Sequence, residues 1–334
     1  MPPLSRRVRN LLPGRRRRAG RIFFAAMARN HIRMFSGAAA ELVARGRDVT
    51  FCTIAKYRRT VEALTELGFP PVTLKRGLEM ARPGDVAVIA VDWGPMQSQF
   101  VESLKAKGVR AVGQIETVQY GKEGWYNLIE EALVWGPGDV AAFGVPCHVV
   151  GYPVIERTLA CQKGRPQGRR ALINYKFTYS DSQADPEHLW YEEAVGACEA
   201  AGLDLVISGH PANLAIPLDR RFTLTPVEEL FNETSLLISR SSTVVVEALV
   251  SGLEAVLYPI EGEELAAFAE PLGAYDIAFN EEDLRRFVAR HAETGGDPDR
   301  ARRFLDAHVS IDPERPSHLR VADAVEEIAR RVGG

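Results

Sequence analysis

The stretch from Leu236 to Leu249 most constrains what this chain can fold into. Leu236, Leu237 and Ile238 form an unbroken apolar run that ends at Ser239. Ser241, Ser242 and Thr243 then open a second run, Val244 to Leu249, interrupted only by Glu247. A strand that is apolar on consecutive residues is buried on both faces, as strands of parallel sheets are. Hydroxyl residues placed directly after it signal the start of a helix. The pattern has a precedent earlier in the chain, where Leu205, Val206 and Ile207 run into Ser208, Gly209, His210 and Pro211. Open α/β sheets bind ligands in the crevice at the carboxyl ends of their strands. Hydroxyls beside free helix-start amides suit an anion such as phosphate.

The same alternation extends along the chain. Strands are predicted at 21–27, 48–53, 71–74, 85–91, 109–115, 132–135 and 148–150, with helices at 36–45, 57–67 and 97–107. Ser36 reads as an N-cap, Gly46 as a helix stop, and 28–35 as the loop after the first strand. Residues 151–168 mix Gly, Pro and charge without an apolar period and read as a linker. A second series follows, with strands at 171–175, 205–208, 222–224, 236–239, 255–258 and 275–278 and helices at 186–201, 227–232, 243–251 and 263–272. Helices are also expected at 281–293, 298–308 and 317–332. The predicted architecture is α/β, with two Rossmann-like doubly wound domains at 21–150 and 169–316 facing a cleft. Residues 317–334 form a final helix free to pack back on the first domain.

The bulk properties agree. Of 334 residues, 46% are hydrophobic and 25% charged, the composition of a soluble globular protein. No apolar run approaches the roughly 20 residues of a membrane span, and the N-terminus lacks the apolar region of a secretory leader. Cys52, Cys147, Cys161 and Cys198 are scattered without metal-ligand spacing, which predicts a reduced, cytoplasmic chain. The net charge of −3 hides an asymmetry: Arg6, Arg7, Arg9, Arg15 to Arg18 and Arg21 crowd the first 21 residues, which contain no acid. Residues 1–20 read as a disordered basic arm. Such an arm can hold a cytoplasmic protein at an anionic membrane face. Nucleic acid is not an expected partner, because no recognition helix or aromatic stacking motif accompanies the arm.

Several strand ends carry chemistry. Ser241, Ser242 and Thr243 can bind phosphate through hydroxyls and amides. His210 can hydrogen-bond or protonate a leaving phosphate, and Gly209 before it allows close backbone approach. Arg240 has the fork that pairs with phosphate bidentately. His31, in the loop after the first strand, is an acceptor or donor contact, and Arg29, Asn30 and Arg33 suit an anionic acceptor. No Walker loop, dinucleotide-binding glycine fingerprint or His-Glu-x-x-His is present, and no acid-rich metal site is apparent. The absence of these motifs argues against a nicotinamide oxidoreductase and a metallohydrolase.

Two Rossmann-like domains with phosphate-type motifs in the second resemble the GT-B glycosyltransferases. His210-Pro211 is similar to the His-Pro motif of bacterial sialyltransferases and Kdo transferases, and Ser241-Ser242-Thr243 to their Ser-Ser/Thr motif. Residues 132–139 and 149–153 resemble the domain crossing of capsule-polysaccharide and glycerophosphate transferases. The resemblance implies a donor ribose contact at Glu247 and donor contacts from the loop carrying Lys176 and from 259–264. It also implies a carboxylate base on the first domain, for which Glu116, Asp92 and Glu123 are the candidates, Glu116 foremost. Glu123-Gly124 departs from the family's acidic motif, because Lys122 replaces the first acid.

The expected activity is therefore metal-independent, inverting transfer of a sugar from a nucleotide donor to a surface polysaccharide or glycolipid. A CMP-linked acidic sugar is the donor that the resemblance implies. The nucleotide sugar is a substrate, so no cofactor is expected. Two alternatives stand: a nucleotide-sugar 2-epimerase on the same scaffold, and a catalytically degenerate scaffolding subunit.

Overall fold

The structure is a computed structural model that describes residues 20–92, 94–119, 126–164, 168–175, 186–209, 219–260, 265, 267–295 and 297–333. The first series of elements is β1 (Ile22–Ala25), α1 (Arg29–Ala44), β2 (Val49–Thr53), α2 (Arg58–Glu66), β3 (Val72–Thr73), α3 (Leu74–Met80), β4 (Val86–Ile89), α4 (Pro95–Ala106), β5 (Arg110–Gln114), β6 (Glu131–Val134) and β7 (Cys147–Val149). A bridging helix, α5 (Ile155–Cys161), follows. The second series is β8 (Arg170–Tyr175), α6 (Pro186–Ala200), β9 (Asp204–Gly209), β10 (Phe222–Thr223), α7 (Val227–Leu230), β11 (Leu236–Ser239), α8 (Val244–Val250), β12 (Glu254–Leu257), β13 (Asp276–Ile277) and α9 (Glu281–Thr294). The chain ends with α10 (Arg302–His308) and α11 (Ser317–Val332).

Among the described residues the strands form two parallel sheets, ordered β3-β2-β1-β4-β5-β6-β7 and β10-β9-β8-β11-β12-β13. In each, the order reverses about one strand pair, β1 with β4 and β8 with β11. Crevices at such reversal points are where doubly wound sheets hold ligands. His31 follows β1, Asp92 follows β4, and the 240–243 turn follows β11.

Helix α3 is not expected from the sequence, and three further differences bear on the site. Helix α1 starts at Arg29, so His31 and Arg33 occupy its first turns and not a loop. The apolar stripe explains this, because Ile32, Phe35, Ala39 and Leu42 are buried along one face, and Ser36 lies inside that period. The expected linker contains α5, whose Ile155 and Thr158 are buried. The described part of 263–272 is not helical: Phe268 and Leu272 have φ of 61° and 48°, outside the helical region.

Helix α8, rich in β-branched valine, has modest intrinsic helix propensity. Burial of six of its seven residues, Glu247 included, holds it in place. One apolar core fills the first domain and continues beneath one face of the second sheet through Leu172, Val206 and Leu237. The opposite face buries Ile173, Ile207 and Ile238 against Trp190 of α6 and Val288 of α9. Helix α11 returns to the first domain, where Arg45 bonds Asp323 and Glu326 at 2.6 and 3.1 Å and Arg331 reaches Glu131 at 2.5 Å. Among the described residues no helix is long and apolar enough to cross a membrane.

Candidate functional site

The first wall of the site is built on the start of α1 and the end of β5. The His31 imidazole is almost fully buried. Its Nδ1 accepts the Met27 N–H at 3.0 Å, so the neutral ring carries its proton on Nε2. That Nε2 lies 2.6 Å from Oε1 of Glu116. Asn30 Nδ2 donates to the same oxygen at 2.7 Å, and the Glu116 N–H donates to the Tyr126 hydroxyl at 3.0 Å. Among the described residues Oε2 of Glu116 carries no bond, and the side chain is 18% exposed. A carboxylate oriented through one oxygen and open at the other can take a proton.

Asp92 is arranged differently. It is 2% exposed, and its Oδ2 accepts the Leu128 N–H at 2.5 Å. Burial pushes its carboxyl up, opposed by backbone N–H groups of 127–129. Its bonds thus pin that loop.

Tyr152, on the crossing between the domains, joins the two walls. It is buried and stacks on Trp135 at 3.7 Å between ring centroids. Its hydroxyl bonds the Thr243 side chain and lies in the fields of Glu247, Arg33 and Glu116. Burial, with Glu247 beside it, raises this phenol. Glu247 accepts from Thr158 at 3.1 Å and faces Arg33 Nη2 at 3.4 Å. Desolvation pushes its carboxyl up, while the Arg33 charge and the Thr158 bond oppose that shift. The structure therefore brings Arg33 of the first wall to Glu247 and Thr243 of the second beside one tyrosine.

On the second wall a buried amide crosses three strand ends. Asn174 donates to Ser239 Oγ at 3.1 Å and accepts from Ser208 at 3.3 Å, as the registers of β8 with β9 and β11 require. Ser242 is buried, and Arg240, Ser241 and Thr243 are half-buried where β11 turns into α8. Gly209 is needed for close approach, but its neighbour is protein, since a Cβ there would lie 2.0 Å from the Phe222 ring. His210, Pro211, Lys176 and Glu123, and the segment 261–264, lie outside the described residues.

Tyr152 and Thr158 are candidate site residues that the motifs did not single out, whereas Asn174 opens the strand end 174–179 that the sequence marked for donor contacts. Only the Val149 to Pro153 crossing pattern pointed near Tyr152. Thr158 lies in the expected linker and carried no signal.

No protein-family model matches the chain, and no curated protein matches it. Solved structures do. The glycotransferase of kitacinnamycin aligns with a TM-score of 0.64 at 19% identity, covering 93% of this chain and 100% of that one. The spinosyn rhamnosyltransferase SpnG complexed with thymidine diphosphate gives 0.59 at 14% identity, over 93% and 96% of the two chains. UDP-GlcNAc 2-epimerase from Neisseria meningitidis, bound to UDP-GlcNAc, gives 0.58 at 11% identity, over 93% and 100%.

The fold is GT-B. Both Rossmann-like parallel sheets and their strand orders belong to that architecture. At these identities the likeness concerns the fold.

Proposed function

We propose that this GT-B chain is a glycosyltransferase that moves a sugar from a nucleotide-activated donor to an acceptor hydroxyl. The observation that carries the reading is the contact of Arg33, on the first wall, with Glu247, on the second, at 3.4 Å beside the Tyr152 hydroxyl. Glu116 takes the proton of the acceptor hydroxyl. The freed oxygen attacks the anomeric carbon as the bond from that carbon to the phosphate oxygen breaks, which inverts the centre. The departing phosphate gathers negative charge, and preorganised donors from Ser241, Ser242 and Thr243, with Arg240, His210 and Lys176, stabilise it. Glu247 binds the donor ribose, Arg33 lines the acceptor side, and His31, which the sequence offered as a direct contact, instead orients Glu116 from a buried position. The nucleotide sugar is a substrate, and this chemistry calls on no metal or other cofactor.

The nucleotides named with similar structures are thymidine diphosphate and a UDP sugar. They favour a nucleoside diphosphate sugar over the CMP-linked acidic sugar. The acceptor in this reading is a surface polysaccharide or glycolipid, with the arginine-rich arm drawing the protein to the anionic inner membrane face. Its salt-dependent binding to phosphatidylserine vesicles tests that part.

The similarity to 2-epimerases supports a second reading, isomerisation or hydrolysis of the nucleotide sugar without an acceptor. Mass spectrometry separates the two. The enzyme is incubated with UDP-, dTDP-, CDP- and CMP-sugars, with and without saccharide acceptors. Acceptor-dependent nucleotide release that Glu116→Gln abolishes is the expected result. Epimer or free nucleotide formed equally without acceptor favours the second reading.

A further inference from the structure

We propose that Gln119 is a positioning residue that latches a loop of the second domain onto the loop bearing Glu116. The inference rests on the reading of Glu116 as base. Gln119 lies three residues beyond it, and its side-chain amide closes a two-bond ring with the backbone of Glu270. Nε2 donates to the Glu270 carbonyl at 2.6 Å, and Oε1 accepts the Glu270 N–H at 2.9 Å. Glu270 belongs to the connection from β12 to β13, downstream of the segment expected to line the donor side of the cleft. The latch therefore crosses from one wall to the other.

The anchor beneath it is built on Asp139 and His308. Asp139 Oδ1 accepts the Gln119 backbone N–H at 3.0 Å and lies 3.0 Å from His308 Nδ1. The second N–H of the Gln119 amide faces His308 Nε2 at 3.2 Å. With Nε2 as acceptor, the ring proton is on Nδ1 and points at Asp139. The backbone at His308 packs closely on Gly136, where a Cβ would lie 2.3 Å from the His308 carbonyl carbon.

Backbone strain collects at the same junction. Among the described residues three non-glycine positions have left-handed φ: Gln119 at 56°, Phe268 at 61° and Leu272 at 48°. All three belong to the two loops that the latch joins. Such conformations persist where surrounding contacts over-determine them, and they concentrate at ligand clamps and switch regions. The geometry implies that ordering of the donor-side loop by nucleotide is transmitted through the Glu270–Gln119 pair to the Glu116 loop.

Hydrogen exchange on the full chain tests this, because the Glu270 amide reports the latch directly. Gln119→Ala removes the side chain, and Gln119→Asn, too short to span the gap, keeps a residue that tolerates left-handed φ. Both are expected to speed exchange about tenfold in peptides covering 113–119 and 267–275, with the helices unchanged. UDP or dTDP is expected to protect both peptides in the wild type and only the second-domain peptide in the variants. Faster exchange in one loop alone, or in neither, overturns the latch. So does joint protection that survives in both variants. If neither nucleotide protects any wild-type peptide, the donor reading and the proposed transmission fail together, and the ligand-free comparison still decides the latch. Glu116→Gln retaining full transfer would sink the base assignment separately.

Discussion

The His31 imidazole and the Glu116 carboxylate meet at 2.6 Å, Nε2 to Oε1, with the other ring nitrogen already occupied by the Met27 N–H. The histidine therefore has no free nitrogen for an acceptor proton, and Glu116 is the member of the pair with an open oxygen. Glu116→Gln should lower turnover by about 10²–10⁴-fold, the usual contribution of a general base, with nucleotide affinity retained. His31→Gln should cost less, about tenfold, because Asn30 still holds Oε1. Steady-state kinetics with a working donor and acceptor check both, and the reverse ranking would make His31 the base.

Ser242 is buried where β11 turns into α8. Ser242→Ala should weaken binding of a nucleoside diphosphate by about tenfold in calorimetry and leave the free nucleoside unaffected. Equal loss for both ligands would mean that the hydroxyl supports the fold and not the phosphate.

Glu247 couples stability to pH in a predictable direction. Its folded pKa is raised by burial, so the folded protein holds a proton that the unfolded chain releases. That contribution is fully present below the ordinary value of 4.5 and is lost as pH rises toward the raised value. Glu247→Gln mimics the protonated form. The Tm of Glu247→Gln minus that of wild type should therefore increase between pH 4.5 and 8. A gap that stays flat or narrows would show that Arg33 and Thr158 offset the burial.

Glu254 behaves in the opposite sense. Burial alone would raise it, but His291 at 2.8 Å, the Asp297 N–H and the Arg300 charge hold it at about 2. Stability from this group is present above 4.5 and lost as pH falls toward about 2. Glu254→Gln should cost about 2 kcal/mol at pH 7 and much less near pH 2, measured by urea denaturation.

Both sheets were legible in the sequence because their strands are apolar on consecutive residues, a signal that does not depend on partners. The start of α1 was not, because Ser36 imitates a cap inside an apolar stripe that begins at Ile32. Helix α5 was hidden because contacts from distant residues hold it, among them the bond from Thr158 to Glu247. In the site, Glu116, Arg33, Thr243 and Glu247 could be singled out because strand ends and helix starts are readable one at a time. The His31–Glu116 bond and the Tyr152 junction join residues far apart in the chain, and no local period encodes such pairs.

The most direct test of a nucleotide site on the second domain is a thermal-shift titration of the wild-type protein with UDP, dTDP, CDP and CMP. At least one nucleoside diphosphate should raise Tm, with stabilisation reaching about 2.7 kcal/mol at a hundredfold excess over Kd. Failure of all four to move Tm at millimolar concentration would contradict the account.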